Sequence, residues 1–164
     1  LIERGDSMSA FGPGKPPFSN LIHIGMVVRD IEESVAHYQL LGLGPFKPSE
    51  GLARPVERKV RGKAVDPASV INKTLKAKIG DKEVEVVQPV AGQSPAMEFL
   101  QSKGEGINHL GFMVDDLEGE VGKLQRKGFE VIFSVGFEGG GGAAFFDIGG
   151  RGDILFELVQ YPRA

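Results

Sequence analysis

Two stretches of this chain are copies of one another. His23 opens H-I-G-M-V-V-R-D-I-E, and His109 opens H-L-G-F-M-V-D-D-L-E. The offset of 86 residues persists beyond these segments, where Gly42 answers Gly128. Each copy later closes on an apolar run carrying a glutamate, V-E-V-V-Q-P around Glu85 and F-E-L-V-Q-Y-P around Glu157. A duplication of this kind limits the chain to two similar units in tandem. It also limits the chemistry, because one histidine and one carboxylate from each copy make a sensible ligand set for a divalent metal.

The local signals repeat as well. Leu21 to Val28 is short, apolar and branched, and reads as a strand. Asp30 is placed to cap a helix, with Glu33 as capping-box partner. Ile31, Val35, Tyr38 and Leu41 form its apolar stripe, and Gly42 ends it. Val70 to Ile79 and Lys82 to Val87 read as strands joined by a Gly80-Asp81 turn. Ser94 and Pro95 open a short helix that runs to about Lys103. In the second copy Ile107 to Val114 is the strand, and Asp116 caps a helix with Leu117, Val121 and Leu124 facing inward. Gly128 ends that helix, and Val131–Val135, Ala143–Asp147 and Asp153–Val159 follow as strands. The order in each copy is β-α-β-β-β.

One such unit has too little helix to cover its sheet. Two side by side make a larger curved sheet with helices outside and a concave face within, an α+β cup. The expected division is an arm over residues 1–20, a first module with its linker helix over 21–104, and a second module over 105–164. Leu1 to Ser7 precede Met8, which is read as the natural start, and Gly12 to Pro17 favours an irregular arm. The first copy is longer between histidine and glutamate, 62 residues against 48. The surplus is placed in the Gly51 to Asn72 region, where it could shape a substrate mouth, and Gly51 to Pro67 is read as a long loop or irregular strand.

Composition removes several classes of function. With no cysteine among 164 residues, disulfides, zinc-thiolate sites and cysteine nucleophiles are excluded. A formal net charge of −3 with no basic patch gives no pull toward nucleic acid. No apolar run approaches the roughly 18 residues a membrane helix needs, and a cytoplasmic protein is the default expectation. His37 lies on the first helix without a counterpart and is read as structural or surface-exposed. Gly139 to Gly142 lacks the Gly-Lys-Ser ending of a phosphate loop and is read as a hairpin loop. Glu57 to Lys63, with Arg58 and Arg61, is read as a solvated basic loop, with contact to an acidic substrate as the second reading.

This layout resembles the vicinal oxygen chelate superfamily, which includes glyoxalase I, methylmalonyl-CoA epimerase, extradiol dioxygenases and bleomycin or fosfomycin resistance proteins. The resemblance covers Leu21 to Pro162. F-L-Q-S-K-G-E-G-I-N-H-L-G-F-M-V-D-D-L-E, from Phe99 to Glu118, is similar to the second-module opening of the epimerases, and D-I-L-F-E-L-V-Q-Y-P, from Asp153 to Pro162, to their closing strand. Position by position, the resemblance implies His23, Glu85, His109 and Glu157 as ligands of a divalent ion (zinc, cobalt, nickel, manganese or iron). Glutamate at 85 is closer to the glyoxalase pattern than the glutamine common in epimerases. The resemblance also implies Glu157 as ligand and proton shuttle, and a homodimer.

One departure stands out. Such epimerases carry a second catalytic glutamate on the strand before the first-module ligand strand, and here Lys73, Lys76 and Lys78 occupy it. If Gly80-Asp81 is a two-residue turn, Lys76 falls opposite Glu85, where it could fix the charge of Glu85 or bind an acidic group of the substrate. The expected activity is that of a metal-dependent isomerase, epimerase or lyase, working beside a carbonyl on a small acid, thioester or thiol adduct. The alternatives are an iron(II) extradiol dioxygenase, which uses two histidines and one carboxylate, and a metal-free binding protein of the drug-sequestering kind.

Overall fold

The structure, a computed structural model, describes residues 15–49, 54–150 and 154–163. The readings made for Met8, for most of the arm, for Glu50 to Ala53 and for the start of the last strand at Asp153 fall outside these residues. Ten strands form one mixed sheet curled into a half-barrel. They are β1 (Leu21–Val27), β2 (Lys47–Pro48), β3 (Pro55–Val60), β4 (Lys63–Val65), β5 (Ile71–Ile79), β6 (Lys82–Ala91), β7 (Gly106–Met113), β8 (Val131–Phe137), β9 (Gly142–Asp147) and β10 (Leu155–Gln160). Helices α1 (Ile31–Leu40), α2 (Pro95–Lys103) and α3 (Leu117–Arg126) complete the described elements, with 3-10 turns at Pro17–Ser19 and Pro67–Ser69.

The spatial order is β2-β5-β6-β1-β7-β10-β9-β8-β3-β4. The run β2-β5-β6-β1 and the run β8-β9-β10-β7 are the two copies. In both, the histidine strand lies parallel to the glutamate strand and the remaining neighbours are antiparallel. β1 and β7 join the copies as an antiparallel seam. The glutamate strands are central in the sheet and largely buried, and Glu157 sits in a nearly unbroken apolar run. Val84 and Val86 pack outward beneath Ile31 and Val35 of α1. In the second copy Leu158 packs with Leu124 of α3, Phe112 and Phe146. Phe18, from the 3-10 turn, adds an edge-to-face contact to Phe112 at 5.3 Å and to Phe156 at 5.0 Å.

Both helices begin and end as the sequence prescribes. Asp30 accepts the Glu33 N–H and Asp116 accepts the Gly119 N–H. At the far ends Leu43 N donates to Tyr38 O, and Phe129 N to Leu124 O. Gly42 and Gly128 supply the left-handed residue of each turn, at φ +87° and +89°. One reading needs correction: Leu41 is not on the buried stripe. The helix stops at Leu40, and Leu41, its C-cap, is 75% exposed.

A second correction concerns the long segment of the first copy. From Pro55 it forms a regular hairpin, β3–β4, where a long loop or irregular strand was expected. β3 pairs with β8 at the far edge of the second copy, with Arg58 opposite Val135. The insertion therefore crosses from one half of the sheet to the other before the chain returns to β5.

Candidate metal centre and cavity

The seam sets the geometry of the site. On β6-β1-β7 one rung reads Glu85, Gly25, His109; on β1-β7-β10 another reads His23, Gly111, Glu157. Each rung places a glycine between a histidine and a glutamate. A Cβ built on Gly25 would fall within the His109 ring, and one on Gly111 within the His23 ring. Each imidazole thus folds over the glycine of the other copy and reaches the glutamate beyond it. Sequence reasoning passed over these two glycines, although the H-x-G spacing was present in both copies.

Four donors converge at the bottom of the cup, all from one chain. His23 Nε2 lies 2.8 Å from Glu157 Oε2 and 3.1 Å from His109 Nε2. Glu85 Oε2 lies 3.3 Å from His109 Nε2 and 3.7 Å from His23 Nε2, and Glu157 Oε2 is 3.4 Å from His109 Nε2. Donor atoms of His23, His109 and Glu157 all lie within 4.8 Å of one another, and Glu85 joins them through the imidazoles. An ion with ligands at about 2.0–2.2 Å spaces adjacent donors by roughly 2.8–3.6 Å. The separations among His23, His109 and Glu157 fit a single cation, while Glu85 Oε2 sits at the margin of that grouping, and two imidazole nitrogens beside a carboxylate are a donor set such an ion takes.

Burial makes the charges interdependent. His23, Glu85, His109 and Glu157 are all buried. Desolvation works against a charged His23, yet the hydrogen-bonded Glu157 carboxylate and nearby Glu85 outweigh it and raise its pKa. Burial likewise opposes a charged Glu85, but His109, His23 and Lys76 draw it down to about 2. Lys76 does stand opposite Glu85, with Nζ 3.4 Å from Glu85 Oε1 and 3.5 Å from Glu83 Oε2. Its burial is overcome by these carboxylates, so its pKa is raised and it remains a cation. His37, as expected, is exposed on α1.

Two β-bulges distinguish the copies. Register shifts leave Ile22 and Asn108, each preceding its histidine, as extra residues in their strands. His109 Nδ1–H donates to Asn108 Oδ1 at 3.0 Å, which turns the unprotonated Nε2 toward the cluster. Ile22 offers His23 nothing, and His23 Nδ1 is buried without a partner.

Above the cluster lies a cavity of about 170 Å³. His23, Glu85, His109 and Glu157 form part of its lining with Lys76 and Tyr161. Phe133, Phe145 and Val159 supply apolar wall, and Phe145 meets the His109 ring edge-to-face at 5.3 Å. α2 closes one end, with Ala96 packed on Val27 and Val87. Gly139–Gly141 turn between β8 and β9 as a hairpin loop. Arg58, read from sequence as part of a solvated basic loop, lines the cavity instead. Arg61 fits the original reading better, pairing with Glu98 at the surface. No described helix is long and apolar enough to cross a membrane.

Comparison with known proteins places this geometry in a family. The chain is 26% identical over 145 residues to the uncharacterized protein YqjC of Bacillus subtilis (strain 168), covering 87% of this chain and 92% of that one. Its fold is shared with the hypothetical protein BH1468 of Bacillus halodurans C-125, at TM-score 0.61 and 24% identity over 88% of this chain and 96% of the other. It is also shared with methylmalonyl-CoA epimerase of Mycobacterium tuberculosis, at TM-score 0.62 and 19% identity over 92% and 93%. A Streptomyces coelicolor methylmalonyl-CoA epimerase variant, solved with 2-nitronate-propionyl-CoA, matches at TM-score 0.59 and 20% identity over 88% and 95%. The family model for the Glyoxalase/Bleomycin resistance protein/Dioxygenase superfamily matches residues 22–146, and the chain belongs to that superfamily.

Proposed function

We propose that the protein is a metal-dependent isomerase, epimerase or lyase that moves a proton beside a carbonyl. The observation that carries this reading is the convergence of His23, His109 and Glu157 at ion-binding separations, with Glu85 beside the imidazoles, on the floor of a small apolar-walled cavity. These four residues are assigned as the ligands of one divalent cation. Bound there, the cation supplies Lewis acidity that polarises a substrate carbonyl and favours its enolate.

The chain's own residues do the rest. Glu157 Oε2, the atom facing His23 Nε2, would be its donor to the ion, which leaves Oε1 as the atom that takes and returns the proton. Lys76 fixes the charge of Glu85 and brings a positive charge to the cavity wall, where negative charge develops on the substrate oxygen. Phe133, Phe145 and Val159 exclude water, which strengthens both interactions. Asn108 holds His109 in the tautomer that presents Nε2. β5 carries no carboxylate opposite Glu85, so a second base is missing where two-base epimerisation would place it. Isomerisation of a thiol adduct through a single carboxylate therefore fits this site better than epimerisation. Homodimer assembly belongs to the same reading and is checked by light scattering.

The test is deuterium uptake from solvent at the carbon beside the carbonyl. The metal-reconstituted protein would be given the glutathione–methylglyoxal adduct and, separately, methylmalonyl-CoA. Exchange or isomerisation of either, lost in Glu157→Gln, supports the reading. No exchange with any divalent metal loaded counts against it.

One observation favours a second reading. The tightest grouping is His23, His109 and Glu157, two histidines and one carboxylate, with Glu85 set apart. That triad suits iron(II) oxygen chemistry. Oxygen consumption with catechols by the iron(II)-loaded protein would decide for a dioxygenase.

A further inference from the structure

The cavity holds a cation that no carboxylate among the described residues neutralises. Arg58 sits on β3, the inserted strand that crosses to β8, and its side chain lines the cavity near Val70, Phe133 and Val135. Its neighbours on the hairpin are satisfied at the surface: Lys59 pairs with Glu57 at 2.8 Å and Arg61 with Glu98 at 3.0 Å. Among the described residues no carboxylate lies within ion-pair distance of Arg58. Nη1 donates to Val70 O, and Nε is shielded from solvent with no partner. Burial lowers its pKa, with no acidic neighbour to offset it.

A partly desolvated guanidinium without a counter-ion is costly to keep, and truncating it to a neutral side chain would be the simple remedy. Its retention on a cavity wall makes sense where a ligand supplies the missing charge. The position supports this. Val70, which holds the guanidinium, leads into β5, whose residues Asn72 and Thr74 line the cavity before Lys76 reaches Glu85. Arg58 therefore marks the end of the cavity away from the His–Glu cluster. The second copy has no equivalent hairpin, so this arginine is an addition to the duplicated cup rather than part of it.

We propose that Arg58 receives a carboxylate of the substrate, so that the molecule taken in is an acid with two poles. Oxygens at one pole face the metal-ligand cluster, and a carboxylate several bonds away meets Arg58. The inference rests on the functional reading above and names its substrate class. A planar guanidinium with free N–H donors suits a planar carboxylate.

The test is calorimetric binding to the metal-loaded protein. The ligands are 2-oxoglutarate, 2-oxoadipate and 2-oxopimelate, each set against the 2-oxo monocarboxylate of the same chain length. At least one diacid is expected to bind about tenfold or more tightly than its monoacid. Arg58→Gln should erase that ratio and Arg58→Lys should keep part of it, with metal per chain the same in all three proteins. The proposal is overturned if no diacid is preferred by the wild type, binding of none included, or if the ratio survives Arg58→Gln. A protein without bound metal that still showed an Arg58-dependent preference would overturn the metal reading and leave this one standing.

Discussion

The imidazoles of His23 and His109 occupy volume that any residue but glycine would fill at positions 111 and 25. Gly25→Ala and Gly111→Ala should each displace one ring, at an overpacking cost of about 1–3 kcal/mol. The expected outcome is a folded protein of lowered Tm with little bound metal, read by circular dichroism and elemental analysis. A variant that binds metal normally would show that the rings do not need these glycines. Asn108 acts more gently. Asn108→Ala frees the His109 Nδ1–H and should weaken metal binding roughly 10- to 100-fold with the fold intact, measured by chelator competition. The four residues that meet were legible in the sequence because the histidines recur at an offset of 86 and each copy closes on a run carrying a glutamate. The glycines and Asn108 were not, since their roles depend on the cross-strand register and on a bulge that no local pattern announces.

Among the elements, those with local signals were read correctly and the one built on a distant partner was not. Asp30 and Asp116 cap α1 and α3, and Gly42 and Gly128 end their turns, because caps and left-handed residues act within a few positions. Asp30→Ala and Asp116→Ala should each cost about 1 kcal/mol in denaturant unfolding and leave bound metal unchanged. A loss of metal in either would mean that the helix termini also hold the site in place. The turn at Gly80-Asp81 likewise fixed Lys76 opposite Glu85 in advance. By contrast, β3 carries a proline and three charges, and its pairing partner β8 lies far along the chain. Nothing local separates such a segment from a loop, so loop and irregular strand both stayed open, and Arg58 was read first as solvated and second as a contact for an acidic substrate. Leu41 was misplaced for a smaller reason: its helical spacing held, but the helix ended one residue before it.

For the whole molecule, duplication explains both the shape and the site. Two copies of one unit meet at β1 and β7, and the seam brings each histidine to the glutamate of the other copy, His23 to Glu157 and His109 to Glu85. The cluster takes one histidine and one glutamate from each half, so the candidate centre exists only when the cup is closed. The cup was foreseeable from the repeat, whereas the crossing of ligands between halves required the sheet order. The most direct test is metal content per chain, by elemental analysis of protein purified without chelators and then incubated with divalent ions. The account predicts about one ion per chain in the wild type and almost none in His109→Ala or Glu157→Ala, with circular dichroism unchanged. A wild type that takes up no ion, or variants that retain one, would contradict it.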